Sequence, residues 1–369
     1  MRLIAYYLPQ YHEIPENNEW WEEGFTEWTN VKKAKSLFKG HDQPIVPGEL
    51  GYYDLNEPSI RERQAEMAKH AGIEAFCYWH YWFGDGKQLL EMPLAEVLSS
   101  KSPDFKFCLG WANESWKAKV WSESPSENDT VLIEQKYPGE NDITKHFYHL
   151  LNAFKDYRYL KVDGKPLFVI YKPFNMPNIQ QFFTLWNNLA IENGIKGIFF
   201  VGYTDFSWQV KSILKMGFNA VNVVRLGNCK RSKKLFFLNF FNVIKYLLSL
   251  APLVYNYKNA ITELIGKENK EIDVFPSIIP NWDTTPRSGI HGFVMHNSKP
   301  KYFLRHIKQV FNSVSLKPKE KQIIFVKSWN EWGEGNYLEP NQKYGTKYLD
   351  ILRSQVLQQN NSENSQLQK

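Results

Sequence analysis

Cysteine is nearly missing from this chain: Cys77, Cys108 and Cys229 are the only three in 369 residues. An odd number without paired spacing supplies neither a disulfide framework nor a zinc knuckle, and it suits reduced thiols in a reducing compartment. No G-x-G-x-x-G or Walker sequence follows an early strand, which argues against a doubly wound nucleotide-binding sheet. Histidines never fall at H-x-x-x-H or H-x-H spacing, and no serine sits in a G-x-S-x-G setting. Neither a metal nor a cofactor is therefore expected. The net charge of +6 is spread along the chain, apart from one cluster at Lys230, Arg231, Lys233 and Lys234. No basic stripe interleaves with aromatics, so nucleic acid is not an expected partner. The start, Met1-Arg2-Leu3-Ile4-Ala5-Tyr6-Tyr7, lacks a long apolar run and a small-residue cleavage site, which points to a cytoplasmic protein. The most apolar stretch, Leu235–Tyr255, is broken by Asn239, Asn242, Lys245 and Pro252, whereas a membrane span wants about 20 apolar residues.

Aromatic residues are abundant, at 16% of the chain. Many sit beside Gly, Asn, Glu and His in turn-like segments such as Tyr78-Trp79-His80-Tyr81-Trp82-Phe83-Gly84. They can simply fill a core. Flat rings flanked by carboxylates and amides also suit sugars, which have an apolar C–H face and a polar edge.

Short apolar runs alternate with helical stretches. Eight strands are predicted: Leu3–Tyr7, Ile73–Trp79, Phe105–Leu109, Leu167–Tyr171, Gly197–Val201, Ala220–Val223, Val274–Ile279 and Ile323–Lys327. Helices are predicted near Ser59–His70 with Ser59 as N-cap, Ile179–Glu192 and Tyr302–Ser313. This alternation predicts an α/β fold, a (β/α)8 TIM barrel. One catalytic domain over 1–353 is expected, with a helical insertion at 229–268 between strands 6 and 7 and a disordered tail at 354–369. The insertion reads as a helix packed on the barrel, or as an amphipathic segment (230–256) touching a membrane surface at its inner face.

Barrel enzymes build their sites from the loops after the strands. Those loops hold Tyr11 and His12, then Trp79 and His80, then Trp111, Asn113 and Glu114. Tyr171 and Tyr203 follow, then Trp282, Asp283 and Arg287, and finally Asn330, Glu331, Trp332 and Glu334. Glu331 and Glu334 stand out. Breaking a glycosidic bond needs a proton donor and a second carboxylate, and two carboxylates held together push their pKa values apart. Gly333 and Gly335 permit a tight turn that points both into one pocket. Asn113 either binds sugar hydroxyls or caps the next helix. Arg287 either pairs with Asp283 to fix its loop or holds an acidic sugar or phosphate.

Six ordered segments resemble the WbsX family, named as a glycosyltransferase of bacterial surface-polysaccharide loci and described as glycoside hydrolase family 99-like. They are Tyr6-Tyr7-Leu8-Pro9-Gln10-Tyr11-His12, Tyr81-Trp82-Phe83-Gly84-Asp85-Gly86, Trp111-Ala112-Asn113-Glu114, Tyr137-Pro138-Gly139-Glu140, Trp282-Asp283 with Thr285-Pro286-Arg287, and Trp329-Asn330-Glu331-Trp332-Gly333-Glu334-Gly335. The resemblance covers about Met1 to Leu352. It implies a (β/α)8 barrel acting on an oligo- or polysaccharide, as the endo-α-1,2-mannosidases and mannanases of family 99 do. It also implies a retaining mechanism without an enzyme nucleophile. Glu331 would help the substrate's 2-hydroxyl attack the anomeric carbon, and Glu334 would be the acid/base. The family often has Ala where Gly333 stands and Asn where Thr284 stands; neither change removes a carboxylate. Three functions follow as expectations. The first is a hydrolase or transglycosylase of O-antigen or capsule glycans. The second is a nucleotide-sugar-dependent transferase of lipopolysaccharide O-antigen assembly. The third is a glycan-binding protein without catalysis.

Overall fold

The structure is a computed structural model that describes residues 1–117 and 130–367. Its centre is a barrel of eight parallel strands: β1 (Arg2–Tyr7), β2 (Ala75–Trp82), β3 (Lys106–Trp111), β4 (Lys165–Ile170), β5 (Phe199–Thr204), β6 (Ala220–Val223), β7 (Val274–Ile278) and β8 (Ile323–Val326). Each strand pairs with the next, and β8 closes onto β1 with Leu3 opposite Ile324 and Ala5 opposite Val326. Closure buries both faces of every strand, which is why these segments read as apolar runs rather than alternating ones. All eight side chains of β2 are buried, including Trp79, His80 and Tyr81.

The predicted strands fall on the observed ones, but several run further toward the loops than expected. β2 continues to Trp82 and β3 to Trp111, with Trp79 opposite Gly110 and His80 opposite Trp111. The continued pairing keeps these aromatics within the wall of the barrel. Gly110 is needed there: a Cβ would lie 3.0 Å from the Trp79 ring. Trp79 thus lies across the barrel interior and stacks on Tyr6, with centroids 4.7 Å apart.

Three expectations are corrected. The helix Pro58–His70 has Glu57 rather than Ser59 at its N-cap position, with no side-chain capping bond. Pro58 in its first turn sets the entry, because proline has no N–H to leave unsatisfied there. The insertion between β6 and β7 is not wholly helical. Helices Lys233–Leu238 and Phe240–Leu247 are followed by a strand, Leu253–Asn256, which pairs in parallel with Phe293–His296. The β-branched Val254 and aromatic Tyr255 favour that pairing. Tyr257 anchors the insertion by donating to the Ile279 carbonyl at the end of β7, 2.6 Å away. Lastly, the tail expected to be disordered continues the helix Lys347–Leu367, whose first turns are docked by buried Tyr348, Leu349 and Leu352. Among the described residues, no helix is long and apolar enough to cross a membrane.

Candidate active site

Beyond β8 the chain makes a two-residue strand, Asn330–Glu331, paired antiparallel with Asn336–Tyr337, around a 3-10 turn at Trp332–Glu334. Gly335 closes the turn in the left-handed region (φ 53°), packed so tightly that a Cβ would lie 2.7 Å from Asp283 Cβ. The turn is fastened to β1. The Asn330 side chain accepts from Leu8 N (2.8 Å) and donates to Leu8 O (3.0 Å). The Tyr11 hydroxyl donates to Asn330 O and accepts from Trp332 N at 3.0 Å. Trp332 stacks on Tyr337 at 3.8 Å and donates to Glu339 at 2.6 Å.

The turn delivers Glu331 and Glu334 to Arg287, which stands after β7. Arg287 Nη2 is 2.7 Å from Glu331 Oε1, Nη1 is 3.0 Å from Glu334 Oε1, and Nε is 2.8 Å from Glu27 Oε1. One guanidinium thus faces three carboxylates. If all were ionised, this one guanidinium would face three negative charges in a largely desolvated place, which is costly. The group is therefore biased toward holding a proton. Burial pushes the Glu331 carboxyl up; Arg287 pulls it down and Glu334 pushes it up again, with a net rise. Glycine at 333 makes the approach possible, since a Cβ there would strike the Glu27 carboxylate.

The cluster lines a cleft of about 710 Å³ at the loop end of the barrel, together with Trp79, Tyr81, Glu114, Trp116, Tyr171, Tyr203, Trp282 and others. Tyr171 and Tyr203 pack at 4.9 Å. Lys327, the residue after β8, is buried, and its ammonium lies 5.7 to 5.9 Å from the Trp282, Tyr203 and Trp79 ring centroids. Asp205 lies nearby; burial raises its carboxyl, against the pull of Lys327 and Lys172.

The expected site residues divide. Trp79, Glu114, Tyr171, Tyr203, Trp282, Arg287, Glu331 and Glu334 are brought to the cleft. The others are not among its lining residues, and most have other work. Tyr11, Asn330 and Trp332 hold the Glu331 turn, as described. Asn113 is not among the cleft-lining residues and caps no helix: its side chain bridges Tyr137 and both backbone groups of Lys172. His80 and Trp111 fall on the outer face of the sheet; His80 meets His146 at 2.8 Å, and Trp111 stacks against Phe182. His12 is buried away from the cleft, and burial lowers its pKa. Asp283 does not pair with Arg287. Its carboxylate is taken by His41 and Gln43, both at 2.8 Å, and by Thr285. Burial pushes that carboxyl up, but these partners outweigh burial and hold it below the ordinary range. Among the described residues no group of His, Cys, Asp and Glu has a metal-holding arrangement.

Glu27, Asp205 and Lys327 were missed. Glu27 had a readable signal: Glu27-Trp28 repeats the carboxylate-tryptophan pairing of Glu331-Trp332. Asp205 and Lys327 end or follow strands, and only the barrel's geometry aims them inward.

A family model described as glycosyltransferase WbsX matches residues 3–352. The chain belongs to the WbsX family. WxcX of Xanthomonas campestris pv. campestris (strain B100), an uncharacterised protein, is 32% identical over 357 residues, 95% of this chain and 49% of that one. The chain thus spans about half the length of the curated relatives it matches. Among solved structures, a family 99 endo-α-mannosidase from Bacteroides thetaiotaomicron is similar at TM-score 0.59 and 17% identity, over 99% of this chain and 98% of that one. A glycoside hydrolase-like protein is similar at TM-score 0.56 and 15% identity, over 96% and 93%. At these identities the likeness shows the shared TIM barrel.

The support beneath the turn yields a stability prediction. Glu339 is buried and accepts from Trp332, Gln64 (2.7 Å) and Tyr53 (3.0 Å). Burial raises its carboxyl to about 7, with the hydrogen bonds only partly opposing. An acid raised on folding holds its proton more tightly in the native state, so its effect on stability is most favourable below the unfolded pKa and declines as pH rises toward 7. Urea midpoints between about pH 4.5 and 7 should show a stability loss on the order of 3 kcal/mol in the wild type. Glu339→Gln should flatten that slope; an unchanged slope would assign it to other groups.

Proposed function

We propose that this member of the WbsX family is a carbohydrate-active enzyme that cleaves or transfers α-glycosidic bonds in bacterial surface-polysaccharide metabolism, by a two-carboxylate retaining route. The observation that carries it is the placing of Glu331 and Glu334 on adjacent nitrogens of Arg287, in an aromatic-walled cleft. The Bacteroides likeness by name, an endo-α-mannosidase, supports an α-linked glycan as the substrate class.

In this reading Glu331 takes the proton of the sugar's 2-hydroxyl as that oxygen bonds to the anomeric carbon. A carboxylate made more basic by burial is the better acceptor. The bond to the leaving oxygen breaks as Glu334 gives it a proton. In the second step a water or sugar hydroxyl attacks the anomeric carbon and opens the 1,2-anhydro ring. Glu334 recovers a proton from the acceptor, and Glu331 returns one to the 2-oxygen. Trp79, Trp282, Tyr171 and Tyr203 supply apolar walls for sugar faces, and Glu114 a hydrogen-bond acceptor.

One feature favours transfer from a nucleotide sugar as a second reading. Lys327, Lys230 and Lys172 gather around Asp205, so ammonium groups are at hand for a diphosphate. Incubation with the pathway's nucleotide sugars and with the finished glycan separates the two. Shortening of the glycan, or exchange between glycan chains without nucleotide release, supports the first. Nucleotide release coupled to chain growth supports the second. Neither product with any glycan of the locus would sink both.

A further inference from the structure

The insertion between β6 and β7 turns its apolar side outward. Phe237, Leu238, Phe240, Phe241, Ile244, Leu247, Leu248 and Leu250 are all exposed, Phe241 at 79%, Phe237 at 73% and Leu247 at 70%. In helix Phe240–Leu247, positions 240, 241, 244 and 247 share the face pointing away from the protein, while Val243 points in. This inverts the usual amphipathic helix, whose apolar stripe faces the core. A contiguous apolar patch of this kind marks a contact surface.

Charge says what the surface meets. From Phe206 to Thr262 the chain contains no aspartate or glutamate and nine lysines and arginines. Five of these basic residues, Lys230, Arg231, Lys233, Lys234 and Lys245, lie in or just before the two exposed helices. A second copy of the chain would set like charges against like across a two-fold contact, which is unfavourable. Apolar rings bordered by ammonium groups instead match a lipid interface, where the rings enter the acyl boundary and the lysines meet anionic headgroups. Among the described residues no helix is long and apolar enough to span, and the exposed helices fit the face of one leaflet.

We propose that the hairpin of helices Lys233–Leu238 and Phe240–Leu247 docks this protein on an anionic phospholipid surface. The hairpin is continuous with the cleft: Leu226, Gly227 and Lys230 of the preceding helix line the cleft mouth. Docking therefore holds that mouth beside the lipid. This goes beyond the glycan reading and does not depend on it, since docking is measured without substrate.

The test is co-sedimentation of the full chain with vesicles of phosphatidylcholine alone or with about 30 mol% phosphatidylglycerol. Binding to the anionic vesicles is expected, with little to the neutral ones, and loss as salt rises toward about 0.5 M. Phe237→Ser with Phe241→Ser and Leu247→Ser should lower the partition coefficient at least about tenfold. The circular dichroism spectrum should be unchanged, because the three side chains are exposed. Lys233→Glu with Lys234→Glu should weaken binding several-fold on anionic vesicles only. Absence of the wild type from the vesicle pellet would overturn the proposal. So would unchanged sedimentation of the triple serine variant, or its conversion of a wild-type dimer to a monomer with vesicle binding intact, which would assign the patch to a second copy.

Discussion

Glu334→Gln is expected to lower kcat for glycan cleavage or transfer by about 10²- to 10⁴-fold, the usual worth of a positioned acid/base. KM should change little, because glutamine keeps the shape of the side chain and its contact with Arg287. The loss should be smallest on substrates with a good leaving group, such as aryl glycosides, since these need less protonation as the bond breaks. Glu331→Gln should instead lose activity on aryl and natural glycosides alike, because help to the 2-hydroxyl is needed whatever the leaving group. Steady-state kinetics on both substrates check the division of labour. Full activity in Glu334→Gln would refute the acid/base role. Equal losses on both substrates in both variants would refute the split.

Removing the cation should be nearly as damaging. Arg287→Leu leaves Glu27, Glu331 and Glu334 facing one another without the guanidinium they share. Stripping one partner from a buried charge group costs about 3–5 kcal/mol. That deficit should be visible at neutral pH and shrink on acidification, as protonation relieves the repulsion. Glu331 is already raised by burial, and Arg287 is the largest influence lowering it. Without Arg287 the acidic limb of the rate profile should move to higher pH, and kcat/KM at neutral pH should fall by about 10²-fold or more. Glu27→Gln in the same chain should restore part of the stability by removing one of the opposed charges. Urea denaturation of the single and double variants at two pH values decides this. If Glu27→Gln and Arg287→Leu were simply additive, the two residues would not be coupled.

Much of the barrel was legible in the sequence because closed parallel strands leave a strong local trace: buried on both faces, they must be apolar throughout. Strand ends were less legible. Trp79-His80-Tyr81-Trp82 looks like a loop by composition, yet pairing of Trp79 and His80 with β3, and of Tyr81 and Trp82 with Leu89 and Gln88, keeps it extended. That misreading is also why His80 and Trp111 were expected in the cleft. Within a strand, neighbours point to opposite faces, so Trp79 faces the interior and His80 the helices. The Glu331–Glu334 pair was readable because two carboxylates, two tryptophans and two glycines were compressed into one segment. Its pairing with Arg287 and Glu27 was not, since those two lie 260 residues apart and meet only through the barrel. Asn330, Tyr11 and Asp283 share a different lesson. Polar side chains beside a site are often consumed in fixing its loops, and sequence does not distinguish a hydrogen bond to a loop from one to a ligand.

The bonds from Asn330 to Leu8 and from Tyr11 to the Glu331 turn join the loops of β1 and β8, the first and last strands of the barrel. The carboxylates are therefore assembled across the seam where the barrel shuts. During synthesis the chain emerges from its N-terminal end, and β1, though it meets β2 early, must wait for more than about three hundred residues before its closing partner β8 appears. No nascent or half-folded chain can possess this arrangement, so the proposed catalytic pair is assembled only in a completed barrel. Limited proteolysis that releases the seam should silence the enzyme while leaving most of its helices intact.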